Sequence, residues 1–230
     1  MNRIRTVLAA LLVAAVVTAL AGCGGTARTP EPPATPEVTE ADLHFFVGEE
    51  SAPVTVTVFE DFLCPWCRDL DRVGHDRLVA LTEGGLVRLD LRPYDHLPRY
   101  GTYSRDSARV WAAVTATSEP EVALAFHEAL YADQPAEDAT PPTQADLVDV
   151  AVAAGADREE VTARLDDGYA EAWVDLATEV ADATVEYTPT ALVDGREVPW
   201  PDGLTTRQYV ARVVAAARAA EATCDRRCVG

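Results

Sequence analysis

The chain has 230 residues, of which 48% are apolar, and this is enough for one globular domain with a sizeable core. Charged residues make up 25%, an ordinary globular share that excludes wholesale disorder. The formal charge of −19, from 38 acidic and 19 basic residues, argues against nucleic-acid binding because little positive charge is present to neutralise phosphates.

The first 22 residues have the pattern of a bacterial lipoprotein signal peptide. Arg3 and Arg5 form a short positive region, and an apolar run of about 14 residues over 7–20 follows them. This run is too short for a comfortable transmembrane helix and suits a signal peptide. It ends in Leu-Ala-Gly-Cys, which resembles a lipobox and implies that Cys23 receives diacylglycerol and becomes the mature N-terminus. The alternative is an ordinary secretory peptide with a chance cysteine.

Residues 23–42 are predicted to be a lipidated tether. They are rich in Pro and Thr and contain almost no large apolar residue, so they cannot bury enough surface to offset the entropy of ordering. We expect an extended, partly polyproline II link between the lipid and a folded domain over 43–230.

The cysteines suggest redox chemistry. If Cys23 carries lipid, four remain, in two pairs: Cys64 with Cys67 and Cys224 with Cys228. An even number in an exported protein favours disulfide pairing. A zinc site is the competing interpretation, but structural zinc modules usually hold their ligand pairs much closer in sequence. We therefore predict no metal and no cofactor.

Cys64 is predicted to lie at a junction between a strand and a helix. The β-branched run over 54–59 predicts a buried strand, and a helix follows to about Leu81 with Pro65 in its first turn. The free N–H groups and partial positive charge of the helix N-terminus stabilise a thiolate, the nucleophile of disulfide exchange. Cys67 lies one turn further on the same face and should be less exposed. The alternative is an inert disulfide or two buried thiols.

This strand–C-x-x-C–helix unit resembles the thioredoxin superfamily. The string Asp-Phe-Leu-Cys-Pro-Trp-Cys over 61–67 resembles the DsbA family of exported disulfide oxidoreductases, and Thr-Pro-Thr-Ala-Leu-Val-Asp-Gly over 188–195 is similar to a second segment of that family. The resemblance implies that Pro189 is cis and faces the two cysteines, with the backbone of Thr188 beside them and ready to pair with an extended substrate. The alternative is a simple proline at the start of a strand.

The region between the two motifs is predicted to be helical after a second parallel strand over 86–91. Helices are predicted to begin at three capping positions: Ser118, Thr143 and Asp157. A further helix contains Trp173. The DsbA family carries a helical domain at this place. The predicted fold is therefore α/β and thioredoxin-like, a central mixed sheet flanked by helices with a helical domain inserted at about 96–186. Asp194-Gly195 predicts a type I′ hairpin turn.

Two departures from the family pattern concern the site. Many relatives have a buried acid six residues before the first cysteine, thought to relay a proton to the second thiol, and here that position is Val58. Glu60 and Asp61 lie nearer and cannot be assumed to replace it. Trp66 stands where the best-known oxidases have a histidine that donates to the thiolate, so a strongly oxidising potential is not implied.

The remaining candidates have simpler interpretations. Cys224 and Cys228 form an added tail, interpreted as a local structural disulfide, with an electron-relaying pair as the alternative. The four histidines show no metal-ligand spacing and are interpreted as surface or core residues: His44, His75, His96 and His127. Three tryptophans are assigned to the core: Trp111, Trp173 and Trp200.

The function predicted by the resemblance is that of an extracytoplasmic thiol–disulfide oxidoreductase, lipid-anchored to the bacterial cell membrane. Cys64 would form a mixed disulfide with a cysteine of an exported client protein, and Cys67 would resolve it. Four residues would position the substrate: Pro65, Trp66, Thr188 and Pro189. A membrane redox partner would reoxidise the pair. The alternatives are a reductase or isomerase of the same fold, or a non-catalytic lipoprotein that binds a metal or a partner.

Overall fold

A mixed sheet forms the centre of the domain. The computed structural model describes residues 36–228, and their side chains as far as residue 223. Within that range the sheet has five strands: β1 (Phe45–Val47), β2 (Val54–Glu60), β3 (Val87–Pro93), β4 (Thr190–Val193) and β5 (Arg196–Glu197). Their order is β1-β3-β2-β4-β5. Strands β2 and β3 are parallel and the other pairs are antiparallel.

Helices cover the sheet and fill the connection between β3 and β4. The described residues form seven α-helices: α1 (Pro65–Glu83), α2 (Tyr103–Thr117), α3 (Pro120–Ala132), α4 (Gln144–Ala153), α5 (Arg158–Asp166), α6 (Tyr169–Thr184) and α7 (Thr206–Cys228). Two short 3-10 helices precede β1 and α2: Glu40–Leu43 and Pro98–Tyr100. No helix within residues 36–228 is long and apolar enough to cross a bilayer.

Strand β2 is central because its residues suit burial on both faces. It reads Val-Thr-Val-Thr-Val-Phe-Glu, and Val58 pairs with Leu91 of β3 on one side and Ala191 of β4 on the other. Helices α1 and α7 contact each other beside this strand. Gly74 permits their close approach, since a Cβ atom there would lie 2.9 Å from a methyl group of Val210.

The helical insertion confirms the predicted fold class and refines its helices. Thr143 and Asp157 cap α4 and α5 through their side chains, as predicted. The capping box at Ser118 was wrong: α3 begins at Pro120, and its N-cap residue makes no side-chain hydrogen bond. The N–H of Ser118 instead donates to the carbonyl of Val114 and ends α2.

Helix α2 is the most deeply buried part of the insertion and was not predicted as a separate helix. Its central side chain is Trp111, which is fully buried and contacts the rings of Phe45 and Phe62. After β4, Asp194 and Gly195 both have positive φ, of 47° and 75°, as the predicted type I′ turn requires. The packing of α2 against the residues before Cys64 joins the helical domain to the cysteine motif.

Candidate active site

Cys64 is the N-cap residue of α1. Its backbone is extended, Pro65 is the first helical residue, and the carbonyl of Cys64 accepts hydrogen bonds from the N–H groups of Cys67 and Arg68 at 3.1 and 3.2 Å. Both cysteines are free thiols, and both are buried. The helix N-terminus thus lies beneath Cys64, as the sequence predicted.

The two thiols have opposite pKa shifts. A hydrogen bond with Cys67 is the main cause that lowers the pKa of Cys64 to about 7, against the opposing effect of burial. Smaller contributions come from Thr188 and from the backbone N–H groups of Trp66 and Cys67. Burial, and then the neighbouring Cys64 and Glu60, raise the pKa of Cys67 well above its usual value. Cys64 is therefore the thiol that ionises more readily, and Cys67 holds its proton at neutral pH.

The segment around Pro189 meets the cysteines across the site. The Thr188–Pro189 peptide bond is cis, as the family resemblance implied. The Cys64 thiol donates to the carbonyl oxygen of Thr188, with 3.5 Å between sulfur and oxygen. The buried hydroxyl of Thr188 has no hydrogen-bond partner of ordinary length within the described chain, so it is available to the Cys64 thiolate.

An aromatic cleft of about 380 Å³ adjoins this contact. Trp66, Thr188 and Pro189 line it together with Tyr187 and Trp200. The Trp66 side chain is 58% exposed, which is unusual for so large an apolar group. Such a surface can hold an apolar peptide segment beside Cys64.

Pro65 faces a different depression. It lines a groove with Arg68, Tyr100 and Gln134, rather than the aromatic cleft. The structure therefore brings Trp66, Thr188 and Pro189 together beside Cys64, and places Pro65 on the other groove.

Gln134, after α3, is a site residue that sequence reasoning missed. Its side-chain amide donates to the carbonyls of Phe62 and Cys64 at 2.8 and 3.0 Å. These two hydrogen bonds join the residues before α1 to the segment that follows α3. No local pattern marks it, because its two partners lie about 70 positions earlier in the chain.

Glu60 and Asp61 are both buried beside the cysteine motif. The backbone N–H of Asp61 donates to the Cys67 sulfur at 3.5 Å. The Glu60 carboxylate accepts from the Tyr131 hydroxyl at 3.0 Å and lies 2.8 Å from Nε2 of His127. His127 was predicted only to be a surface or core residue, and the structure pairs it with a carboxylate at the site.

Two predicted cysteine functions fall outside the described side chains. Cys23 precedes the described residues, and the side chains of Cys224 and Cys228 follow them, although the backbone of both belongs to α7. Among the described residues, no group of three or more His, Cys, Asp or Glu side chains could hold a metal ion. Of the tryptophans assigned to the core, two are fully buried, and Trp200 lines the aromatic cleft.

Comparison with known proteins places this geometry in a family. The family model described as Thioredoxin matches residues 40–210. The chain belongs to the thioredoxin family. A comparison with curated protein sequences gives no match.

Within the thioredoxin family, solved structures identify a DsbA-like fold. Reduced DsbA from Mycobacterium tuberculosis is 26% identical with a TM-score of 0.63, over 79% of this chain and 99% of that chain. The reduced disulfide-bond oxidoreductase DsbG from the same organism is 27% identical with a TM-score of 0.61, over 79% and 94%. BdbD from Bacillus subtilis, at 21% identity and a TM-score of 0.65 over 76% and 91%, shares the fold. The DsbA-like resemblance seen in the sequence is confirmed.

Proposed function

We propose that this DsbA-like protein exchanges disulfides with cysteine pairs of exported client proteins. The observation that carries the proposal is the position of Cys64, at the N-terminus of α1 with its sulfur 3.5 Å from the Thr188 carbonyl oxygen. The similar DsbG structure is described as a disulfide-bond oxidoreductase, which supports the same chemistry here.

The oxidised form of the protein would hold a Cys64–Cys67 disulfide. A client thiolate attacks the Cys64 sulfur, the bond between the two cysteines breaks, and Cys67 leaves and takes up a proton. A second client thiolate then attacks the client sulfur of the mixed disulfide and releases Cys64 as a thiolate. The client has lost two electrons, and the Cys64–Cys67 pair has gained them. Cys64 suits the exchange because its pKa of about 7 makes it the better leaving group of the two.

The aromatic cleft supplies the client surface in this proposal. Trp66 and Trp200 both line the cleft and contact each other edge to face, with 6.0 Å between their ring centroids. The backbone at Thr188, beside Cys64, is suited to pair with the backbone of an extended client segment. Recognition would then depend on backbone and apolar contacts, which many unfolded sequences can make.

We further propose that the protein works outside the cytoplasm, attached to the membrane through a lipid on Cys23. The signal-peptide pattern and the polar tether support this location, and a diacylglyceryl group has two chains, enough for stable anchoring. In this proposal residues 1–22 are removed, 23–42 are the tether, and 43–230 form the domain with its insertion at 96–186. A membrane redox partner would reoxidise the Cys64–Cys67 pair.

The second candidate function is that of a reductase or isomerase with the same fold. The moderate pKa of Cys64 favours it over a strong oxidase. A strongly stabilised thiolate makes the reduced form stable and the disulfide strongly oxidising. A pKa of about 7 is a moderate shift, and Trp66 replaces the histidine that would shift it further.

Two assays test the proposal. Oxidised protein is mixed with a reduced, unfolded model client, and recovery of the folded client is followed; insulin reduction with an added thiol is measured in parallel. Oxidation of the client by the wild type and its loss in Cys64→Ser would support the oxidase. Insulin reduction without client oxidation would assign the reductase, and no exchange in either assay would reject both. Equilibration of the Cys64–Cys67 pair with glutathione gives its reduction potential as an independent measure of direction.

A further inference from the structure

A buried polar cluster beside Cys67 has no part in the exchange described so far. Glu60, His127 and Tyr131 are each at least 96% buried, and both oxygens of the Glu60 carboxylate are engaged, by His127 and Tyr131. The His127 ring packs against three aromatic rings: Phe62, Trp111 and Tyr131. An ionisable pair in such surroundings is costly compared with apolar side chains of similar size, so its presence needs a reason other than stability.

The other ring nitrogen of His127 leads away from the core. Nδ1 is buried and has no hydrogen-bond partner within the described chain. It adjoins a cavity of about 30 Å³ that Glu60, Asp71, His75 and His127 line with apolar neighbours. A space of this size can accommodate one water molecule, and these four side chains offer it polar partners.

The groups beyond this cavity form a graded path to solvent. His127 Nδ1 lies 3.8 Å from Oδ1 of Asp71, the same oxygen lies 3.4 Å from Nδ1 of His75, and Nε2 of His75 lies 3.0 Å from Glu128. Side-chain exposure rises along the path, from 3% at His127 through 17% and 29% to 55% at Glu128. All three separations are ion-pair distances, and a water in the adjoining cavity could contact both partners of the longest one.

The inner end of the path is Glu60, whose neighbour in the chain contacts the thiol that needs a proton route: the backbone N–H of Asp61 donates to the Cys67 sulfur at 3.5 Å. Cys67 is 1% exposed, and in the proposed exchange it gains or loses one proton in each half-cycle. The Glu60 charge is close enough to contribute to the raised pKa of Cys67. Burial opposes the charged form of His127, but the Glu60 carboxylate outweighs it and raises the pKa of His127. The pKa of His75 is raised because its ring donates a hydrogen bond to the Asp71 carboxylate.

We propose that His127 and His75 pass the proton between Glu60, beside Cys67, and solvent. The inference rests on the proposed exchange, and it gives two histidines of α1 and α3 a function in the step that uses Cys67. The titratable groups facing the path are, from β2, Glu60; from α1, Cys67, Asp71, His75 and Asp76; and from α3, His127, Glu128 and Tyr131. His127 and His75 act through Glu60 and are positioning residues for the Cys67 proton.

The test separates the two chemical steps in time. Reduced protein is mixed with oxidised glutathione: Cys64 first attacks to form a mixed disulfide and release one glutathione, and Cys67 then loses its proton and displaces the second. Acid quenching and mass spectrometry follow both phases in wild type and in Glu60→Gln, His127→Gln and His75→Gln. The control is His44→Gln, because His44 pairs with Asp90 on β3, away from the path.

The proposal predicts a specific change in the second phase. Glu60→Gln and His127→Gln should slow it by about tenfold or more, whereas the first phase and the His44 control should stay within about twofold of wild type. His75→Gln, at the partly exposed end, should slow it less, and added imidazole buffer should restore the rate. The His75→Gln variant, without imidazole, should also lack the low-pH arm of the pH–rate profile of the second phase.

Two results would overturn the path. An unchanged second phase in Glu60→Gln and His127→Gln would do so, as would slowing in His75→Gln that neither pH nor imidazole affects, which would be a packing effect. His75→Gln tests the path even if the buried variants do not fold. Failure of the wild type to form a mixed disulfide at all would instead reject the proposed exchange.

Discussion

The carboxylate of Asp61 accepts a hydrogen bond of 2.8 Å from the Ser104 hydroxyl on α2. It also accepts from the backbone N–H groups of Leu63, His96 and Leu97, so that each oxygen has two donors. Burial raises the pKa of Asp61 to about 6, and the four donors act in the opposite direction. One side chain thus connects the residues before Cys64, the loop after β3 and the helical domain.

Asp61→Asn should destabilise the protein, because even with the amide nitrogen donating to the Ser104 hydroxyl the Leu63 N–H would lose its acceptor. An unpaired buried donor costs about 1–3 kcal/mol, so we expect a loss of about 1–3 kcal/mol in the free energy of unfolding, measured by urea denaturation. Asp69→Asn is the control, since Asp69 lies in an exposed 3.5 Å pair with Arg72, and this change should alter stability by less than about 0.5 kcal/mol. An Asp61→Asn midpoint equal to wild type would contradict the four-donor arrangement.

The alkylation of Cys64 should follow a pH curve with a midpoint of about 7. Reduced protein is treated with limiting iodoacetamide at a series of pH values, and peptide mapping assigns the label. Cys64 should react first and Cys67 hardly at all, since burial raises the pKa of Cys67. Equal or reversed labelling would show that the two cysteines have been given the wrong functions.

Removing Cys67 should move that curve upward. The hydrogen bond from Cys67 is the main cause of the low Cys64 pKa, so Cys67→Ala should shift the midpoint toward the usual thiol value of about 8.5. The lowered pKa also implies a stability change in the reduced wild type: stability should be lost as pH falls from about 9 through 7. If Cys67→Ala left the midpoint unchanged, the helix N-terminus and not Cys67 would be the main cause of the lowered Cys64 pKa.

Trp66→Ala should weaken client binding more than it affects folding. The side chain is 58% exposed and contacts Trp200 edge to face, so we expect a stability loss below about 1 kcal/mol. KM for a peptide disulfide should rise several-fold, with a much smaller change for oxidised glutathione, which lacks the apolar segment. Tyr100→Ala is the matched control, an exposed aromatic on the other groove. The reverse pattern would mean that clients lie along the Tyr100 groove.

Cys23→Ser should release the protein from the membrane fraction, because the diacylglyceryl chains would have no attachment point. Fractionation of cells expressing each variant checks this, with Cys224→Ser as the control that keeps its anchor. Mass spectrometry of the wild-type N-terminus should find the lipid on Cys23. A Cys23→Ser protein that stays with the membrane would reject the lipoprotein hypothesis.

Local features of this protein were predictable from sequence because the interactions behind them are local. The valine–threonine alternation of β2, the side-chain caps at Thr143 and Asp157, and the positive-φ pair Asp194-Gly195 each involve neighbouring residues. The position of Cys64 at a helix N-terminus followed in the same way from the strand before it and Pro65 after it. The predicted capping box at Ser118 was wrong because Ser118 ends α2, and the N-cap residue of α3 is the next residue, Glu119.

The site itself depends on residues distant in the chain. Thr188 reaches Cys64 across 124 positions, Gln134 across 70, and His127 meets Glu60 across 67. The family resemblance located Thr188, but no motif marks His127 on α3 or Gln134 just after it. One buried polar side chain changes the hydrophobic periodicity of a sequence too little to be recognised. Its hydrogen-bond partner depends on how the helical domain packs on the sheet. Sequence therefore determined the cysteine motif and its local thiolate environment, whereas the tertiary packing of α3 on β2 and α1 determined which groups can serve the buried thiol.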